Sequence, residues 1–305
     1  MLFHGIYILH DKPKIVALWG DDAWQAIANS NNKPDIALWH CAWFQGTPLR
    51  MANLKYKFNQ LKRLGIHPLL VVNSDTEERY RKLFGIPGFK SSAYVFVDEE
   101  NYALQDSSNK LYDAIYAAQL NNFKRIPLAA QIKRLYVMTY KSGAKQWDLH
   151  QEYPVMKHAS FNSQWIDEKD KNTLYSQSEV GLCLSKEEGP MLASLEYLLN
   201  GLPVVSTPSK GGRDKYYEDD YCQIVKPNPN AVKQGVDVMI KRNIKPSDIR
   251  ETTIKKLQKD RVKYVQVLSS YTHKHYNWQL NEADIMNEWF AKPTKNFVPL
   301  AQYTS

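Results

Sequence analysis

The feature that most constrains the fold is an alternation of short apolar runs with helix-forming segments. The runs GIYIL, KIVALWG, PDIALWHCAWF and HPLLVVNSD have the length of strands, while LRMANLKYKFNQLKRLG repeats apolar residues at helical spacing. We also predict a short helix over DDAWQAIANS, a helix over TEERYRKLFG capped by the preceding Asn-Ser-Asp, and a strand over SAYVFVDEEN. Strand, helix and strand in this rhythm predict an α/β protein with a parallel sheet that is covered on both faces.

A second alternating series follows the polar stretch NYALQDSSNK, residues 101–110, which is the best candidate for an interdomain linker. The series contains KLYDAIYAAQ, a helical pattern in KRIPLAAQIKRLY with Pro127 in its first turn, YPVMKHASF, a helix over DEKDKNTLYSQ and a strand over VGLCLS. Residues 249–292 are predicted to be helical throughout. We therefore expect a domain at 1–105, a second at 106–275, and a C-terminal helix and tail at 276–305.

Composition indicates a globular protein of the cytoplasm. Of the 305 residues, 43% are hydrophobic and 24% are charged, a balance that permits a substantial core. No apolar run approaches the roughly 18 residues that cross a bilayer. The start MLFHGIYILHDK lacks the basic leader and cleavage site of a signal peptide. The three widely spaced cysteines are typical of buried or free thiols in a reducing compartment.

The net charge of +8 is compatible with a plain basic surface or with an anionic partner. The basic helix from Leu54 to Leu64 could dock on the anionic inner face of a membrane and receive a lipid-linked acceptor. Alternatively, it is a core helix with a solvated basic face. Because the lysines are dispersed and no RNA-binding signature stands out, nucleic acid is not an expected partner.

Residues 178–214 carry the strongest functional signal. Val180–Ser185 form an apolar run, KEEG a turn, and Pro190 opens a helix that ends at Asn200-Gly201. LPVVST is the next strand, and PSKGGRD is a glycine loop beyond it. In a parallel sheet the loops after both strands open at the same edge, where α/β proteins bind ligands.

Two glutamates in this stretch, Glu188 and Glu196, are separated by seven residues. The helix N-terminus beside Glu188 presents unpaired N–H groups suited to a diphosphate, and carboxylates suit sugar or ribose hydroxyls. The segment therefore predicts a cradle for a nucleoside-diphosphate sugar. The plainer alternatives are solvated surface acids, and a turn formed by Gly211 and Gly212.

The stretch EGPMLASLEYLLNGLPVVSTPSKGG resembles the E-x7-E region of the group-1 (family 4) retaining glycosyltransferases of the GT-B fold. The match covers residues 155–230, and weaker matches lie in VVNSDTEERYRKLFGIP and AQLNNFKRIPLA. The resemblance implies two Rossmann-like domains facing across a cleft, with a final helix that crosses back to a shortened N-terminal domain. It also implies sugar transfer from a nucleotide sugar to a glycan or glycoconjugate, with retention. Because no Asp-x-Asp signature is present, no metal or other cofactor is expected.

The resemblance also implies roles for individual residues. Glu188 would contact donor-sugar hydroxyls near the anomeric centre, Glu196 would hold the ribose hydroxyls, and Lys124 would neutralise the leaving pyrophosphate. His40 would face the acceptor. The remaining donor-binding positions are Gly189, Pro190, Met191, Leu192, Gly211 and Gly212, and the base pocket would be His158, Ala159, Ser160 and Phe161.

The chain departs from the family pattern at one phosphate-binding position. Ala118-Gln119 stands where the family has Gly-Arg, and Arg125 or Arg213 would have to substitute for the missing cation. Lys124 and Arg125 could instead be ordinary exposed bases, and His40 a structural histidine. The alternatives to a transferase are a nucleotide-sugar epimerase or hydrolase of the same fold, and a non-catalytic nucleotide-sugar-binding protein.

Overall fold

A computed structural model describes residues 5–105, 109–290 and 293–303. The chain divides into two compact units, one formed by Met1–Asp98 with Leu257–Ser305 and the other by Glu99–Lys256. The divisions thus fall at Asp98/Glu99 and at Lys256/Leu257, compared with the predicted boundaries at 105/106 and 275/276. Residues 106–108 of the predicted linker lie outside the described residues.

The first unit is built on a mixed sheet. Its strands are β1 (Gly5–Asp11), β2 (Lys14–Trp19), β3 (Ile36–His40), β4 (His67–Val72), β5 (Gly88–Lys90) and, from the C-terminus, β12 (Phe297–Pro299). Their order is β12-β1-β2-β3-β4-β5, with β1 antiparallel to both neighbours and β2 to β5 parallel. Because β12 pairs with β1, the predicted return of the C-terminal segment to the first unit is confirmed.

Helices cover this sheet with their apolar faces. They are α1 (Gly20–Asn29), α2 (Pro48–Arg63) and α3 (Asp75–Leu83). In α2 the apolar stripe of Leu54, Phe58 and Leu61 is buried in the core, as expected for a core helix with a basic outer face. The predicted cap of α3 is confirmed, since the Ser74 hydroxyl accepts from the Glu77 amide while the Glu77 carboxylate accepts from the Ser74 amide.

Two predictions are wrong, one for the segment SAYVFVDEEN and one for the C-terminal region. SAYVFVDEEN forms 3-10 helices at Ala93–Phe96 and Glu99–Tyr102 instead of a strand. The Ser92 hydroxyl caps the first of them. The prediction failed because a fully buried apolar run has no periodicity that distinguishes a strand from a helix. The C-terminal region is not helical throughout, because α8 (Pro246–Tyr276) ends before Asn277, whose φ is +53°, and α9 (Glu282–Phe290) follows.

The second unit has a parallel sheet. Its strands are β6 (Tyr112–Gln119), β7 (Leu135–Tyr140), β8 (Ser160–Phe161), β9 (Ser178–Cys183), β10 (Val204–Ser206) and β11 (Cys222–Ile224), in the order β11-β10-β9-β6-β7-β8. The helices of this unit are α4 (Leu149–Glu152), α5 (Glu168–Ser176), α6 (Leu192–Leu199), α7 (Pro229–Arg242) and the start of α8. A last short helix, α10 (Leu300–Tyr303), belongs to the first unit.

The helix predicted over KRIPLAAQIKRLY does not form. The segment contains the 3-10 helix Ile126–Ala129, which includes Pro127, and then enters β7. Arg125 separates that turn from the preceding 3-10 helix Asn122–Lys124 because its φ of +53° is left-handed. The break places Lys124 and Arg125 at the end of β6 instead of inside a helix.

The three cysteines are buried free thiols, as the sequence predicted. Among the residues that the structure describes, no helix is both long and apolar enough to span a membrane.

Candidate active site

The candidate site lies at the carboxyl edge of the sheet in the second unit. The strands β6, β9 and β10 are neighbours and run parallel, so the loops that follow them meet at one edge. The backbone N–H of Lys186 donates to the carbonyl of Phe123 at 3.0 Å, which joins the loop after β9 to the loop after β6. This topology brings Lys124 and Glu188 together although 64 residues separate them in the chain.

Lys124 and Glu188 form a buried ion pair. The Lys124 ammonium donates to Glu188 Oε1, and the Ser185 hydroxyl donates to the same oxygen at 2.7 Å. The hydroxyl of Tyr116 donates to the Lys124 carbonyl at 2.5 Å, which fixes the turn that carries the lysine. The interpretation of these residues as exposed surface charges is therefore wrong.

The glycine loop after β10 packs directly against the backbone of Glu188. Gly211 has a φ of +105°, and a Cβ at this position would lie 1.6 Å from the Glu188 carbonyl oxygen. The Glu188 N–H donates to the Lys210 carbonyl at 3.2 Å. Gly212 is also left-handed, with a φ of +85°. Glycine at 211 thus does more than form a turn, because it allows the loop to hold Glu188 in place.

The two arginines proposed as phosphate cations bind backbone carbonyls and Thr207 instead. Arg125 donates to the Leu184 carbonyl at 2.6 Å and to Thr207 Oγ1 at 2.8 Å. Arg213, which is almost completely buried, donates to the Ser185 carbonyl at 2.9 Å and to the Thr207 carbonyl at 2.5 Å. Burial and the neighbouring Arg213 charge lower the pKa of Arg125. Arg213 is therefore not placed to substitute for the missing phosphate cation, since its guanidinium is committed to the ends of β9 and β10.

The start of α6 differs from the prediction. The helix begins at Leu192 with Met191 as its N-cap residue, so Pro190 precedes the first turn and, lacking an N–H, cannot donate to a phosphate. Gly189 and Pro190 are buried, and Leu192 is partly exposed. Gln119, which replaces the family arginine, ends β6 beside Tyr140 of β7 and is also partly exposed.

Glu196 is buried within α6 and has protein partners of its own. The hydroxyl of Tyr175 donates to Oε2 at 2.7 Å, and that of Tyr102 donates to Oε1 at 3.1 Å. The Lys171 ammonium lies 3.6 Å from Oε1. Each of the two glutamates thus has a lysine partner, and the protein donates one hydroxyl to Glu188 and two to Glu196.

The residues predicted to line the base pocket lie largely at the wrong edge. Ser160 is paired with Tyr136, near the start of β7, so His158 and Ala159 precede β8 at the amino edge of the sheet. His158 Nε2 is 3.0 Å from the carbonyl oxygen of Ile132, which also precedes β7. The structure therefore does not bring His158, Ala159 and Ser160 to Glu188, and Phe161 is the last residue of the strand.

Two aromatic residues near this edge were missed by the sequence analysis. Tyr140 ends β7, and burial together with the Glu188 charge raises its pKa. Trp165 is 74% exposed and meets the Tyr140 ring edge-on, with centroids 5.6 Å apart. Trp165 also lines a groove of about 440 Å³ with Tyr136, Asn162, Ser163, Gln164, Ile166, Asp170, Thr173 and Leu174. The sequence signal that could have identified Tyr140 is an aromatic residue at the carboxyl end of a strand, which is the edge where ligands bind.

His40 has the environment of a structural histidine. It ends β3 in the first unit, is 1% exposed, and its Nε2 is 2.9 Å from the Tyr264 hydroxyl. Its ring stacks on Trp19 with centroids 4.7 Å apart, and burial lowers its pKa to about 3. A neutral imidazole enclosed in this way does not reach an acceptor, so the prediction that His40 faces the acceptor is not supported by its position.

Comparison with solved structures identifies the fold of this chain. No protein-family model matches the chain, and no curated protein matches it in sequence. HepE of Anabaena, solved in complex with UDP, is 15% identical with a TM-score of 0.59, over 83% of this chain and 78% of that one. The chain has the GT-B fold.

Two further GT-B structures agree with this assignment. TarM is 12% identical with a TM-score of 0.62, over 83% of this chain and 54% of its own. Sucrose-phosphate synthase from Thermosynechococcus elongatus is 15% identical with a TM-score of 0.52, over 75% of this chain and 64% of its own. The chain therefore spans only part of these larger relatives. The predicted α/β class with two Rossmann-like bodies is confirmed.

Proposed function

We propose that this protein is a glycosyltransferase that moves a sugar from a nucleoside-diphosphate sugar to a glycan or glycoconjugate acceptor. The observation that carries the proposal is the buried Lys124–Glu188 pair at the carboxyl edge of a parallel sheet, immediately before α6. The GT-B fold supports it, because HepE was solved with UDP, and an S. aureus TarM variant was solved with fondaparinux, α-GlcNAc-glycerol and UDP.

The geometry suits the charge changes of glycosyl transfer. The bond from the anomeric carbon to the leaving diphosphate breaks, so negative charge develops on the phosphate and positive charge on the sugar. An acceptor hydroxyl oxygen forms the new bond to the anomeric carbon, and its proton passes to the leaving phosphate. The Lys124 ammonium and the N–H groups at the start of α6 would stabilise the first of these. Glu188 would release Lys124 to the diphosphate and accept hydrogen bonds from the donor sugar. Retention of configuration without a metal is the course that the family resemblance implies.

We further propose a cytoplasmic location with peripheral contact at an anionic membrane, where a lipid-linked acceptor would be available. The outer face of α2 supports this contact. Its exposed basic residues are Arg50, Lys55, Lys62 and Arg63, the helix contains no acidic residue, and Leu49 and Tyr56 are exposed among the basic side chains.

A second candidate is a protein of the same fold that binds a nucleotide sugar without transferring it, or that hydrolyses or epimerises it. The arginine geometry favours this candidate. Gln119 replaces a cation, and both Arg125 and Arg213 donate to backbone carbonyls of the protein.

The test is a thermal-shift screen with UDP, GDP, ADP and CDP and their sugar conjugates. We expect one nucleotide to raise the melting temperature. Lys124→Met should weaken its binding by about ten- to a hundredfold, because a charge-assisted hydrogen bond is lost. Lys186→Met is the matched control, since Lys186 is an exposed lysine in the adjoining loop, and it should change binding by less than about twofold.

Donor consumption is then followed by NMR spectroscopy, which distinguishes isomeric nucleotide sugars as well as hydrolysis products, with and without candidate acceptors. Consumption that requires an acceptor supports the transferase, whereas consumption without one identifies a hydrolase or epimerase. Binding without consumption favours the second candidate. If no nucleotide shifts the melting temperature, the proposed function is refuted.

A further inference from the structure

The cation of the candidate site is paired with a carboxylate of the protein itself. The Lys124 ammonium donates to Glu188 Oε1, and the Ser185 hydroxyl donates to the same oxygen at 2.7 Å. Glu188 is 5% exposed and Lys124 is 9% exposed, so water screens their charges only weakly. A diphosphate that enters this site therefore meets an ammonium whose charge is already compensated, beside a carboxylate of its own sign.

The backbone around the two residues keeps the carboxylate beside the lysine. The N–H of Glu188 donates to the Lys210 carbonyl at 3.2 Å, and its carbonyl oxygen would lie 1.6 Å from a Cβ at Gly211. On the other side, the Tyr116 hydroxyl donates to the Lys124 carbonyl at 2.5 Å. Because both backbones are held, an arriving diphosphate must compete with Glu188 for Lys124.

Two kinds of ligand differ in what they return to Glu188. A sugar attached to the diphosphate carries hydroxyl groups that can donate to the carboxylate, so they replace the hydrogen bond that Lys124 withdraws. The diphosphate of a nucleoside diphosphate without a sugar brings only acceptor oxygens. It leaves Glu188 buried with the hydroxyl of Ser185 and without its cation, which is costly.

We propose that Glu188 is a specificity-determining residue, which shifts the affinity of the site away from the bare nucleoside diphosphate and towards the nucleotide sugar. It does so by competing with the diphosphate for Lys124 unless a sugar supplies it with donors. The same competition favours release of the nucleoside diphosphate once the sugar has been transferred. The inference rests on the proposed function, because it presupposes that a nucleotide sugar binds at this edge.

The test measures two affinities by isothermal titration calorimetry: that of whichever nucleoside diphosphate binds in the screen, and that of its sugar conjugate. Glu188→Gln keeps the size of the side chain and removes its charge. It should tighten binding of the bare nucleoside diphosphate by about tenfold, and it should lower the preference for the sugar conjugate by about tenfold or more.

Glu187→Gln is the matched control for net charge. It removes the same charge from the adjoining residue, whose backbone forms a bridge with Lys210. Because Glu187 has no part in the pair with Lys124, this variant should change both affinities by the same factor, less than about threefold.

Ser185→Ala provides a second variant, with the opposite expected sign, which serves also if Glu188→Gln does not fold. It removes the donor that stays with Glu188 when a diphosphate takes Lys124. The bare nucleoside diphosphate should therefore bind about three- to tenfold more weakly, whereas the sugar conjugate, which supplies its own donors, should change by less than about threefold.

Three results would overturn the proposal. Unchanged or weaker binding of the bare nucleoside diphosphate to Glu188→Gln would show that Lys124 serves both anions at once. Equal tightening in Glu187→Gln would assign the effect to net charge, and equal weakening of both ligands in Ser185→Ala would contradict the exchange of donors. Failure of the proposed function gives a different result, because then neither ligand binds to the wild-type protein, and the inference falls with it.

Discussion

Replacement of Gly211 by alanine tests how the glycine loop holds the candidate catalytic glutamate. The new Cβ would lie 1.6 Å from the Glu188 carbonyl oxygen, whereas real Cβ atoms essentially never approach within 3.0 Å, so the two backbones must separate by about 1.4 Å. The positive φ of +105° adds backbone strain of about 1–3 kcal/mol. Separation also breaks the Glu188–Lys210 backbone hydrogen bond, worth about 1 kcal/mol, and pulls Glu188 from Lys124.

These contributions together predict a loss of roughly 3–5 kcal/mol in the free energy of unfolding of the second unit. Gly143→Ala is the matched control in the same unit, because Gly143 also has a positive φ, +75°, but no atom lies within 4 Å of its added Cβ. The control isolates the strain and should cost about 1–2 kcal/mol.

The assay is urea unfolding combined with hydrogen exchange, which assigns the lost stability to residues 99–256. Gly211→Ala should also weaken nucleotide binding, while Gly143→Ala should not. If both variants lose the same stability, the close approach to Glu188 is not what requires glycine at position 211, and the reasoning is refuted.

Two further predictions concern buried titratable groups. Lys124→Met alone should destabilise the protein by about 3–5 kcal/mol in urea unfolding, because it leaves the Glu188 charge buried and unpaired. The Lys124→Met/Glu188→Leu double variant should be more stable than the sum of the two single losses predicts, and simple additivity of the losses would contradict the ion pair. The pKa of His40 is lowered by burial from 6.5 to about 3, so the unfolded chain binds an extra proton between these values. Stability should therefore fall by up to about 5 kcal/mol as the pH drops from 6.5 towards 3. His40→Gln should flatten that fall, and an unchanged pH profile would show that other groups cause it.

Local patterns in the sequence were sufficient for the fold class and for most of the elements. The alternation of apolar runs and amphipathic segments predicted β1 to β4, α1 to α3 and the strands and helices from α5 to β10. It succeeded because strand and helix periodicities, and caps such as Ser74, depend on residues that are neighbours in the chain. It failed at residues 93–102 and 125–134, where a buried apolar run or a single left-handed residue, Arg125, decided the conformation.

The sequence by itself also placed Glu188 and the glycine loop at a common edge, since parallel strands carry their following loops to one side. Lys124 was assigned to that site only through the resemblance to the glycosyltransferases. Which charges pair there was decided by the tertiary structure. A buried ammonium or carboxylate must find a partner, and the packing of distant segments determines which one is available. Thus Lys124 meets Glu188, Glu196 meets two tyrosines, Arg213 meets backbone carbonyls, and the register of β8 carries His158 to the opposite edge.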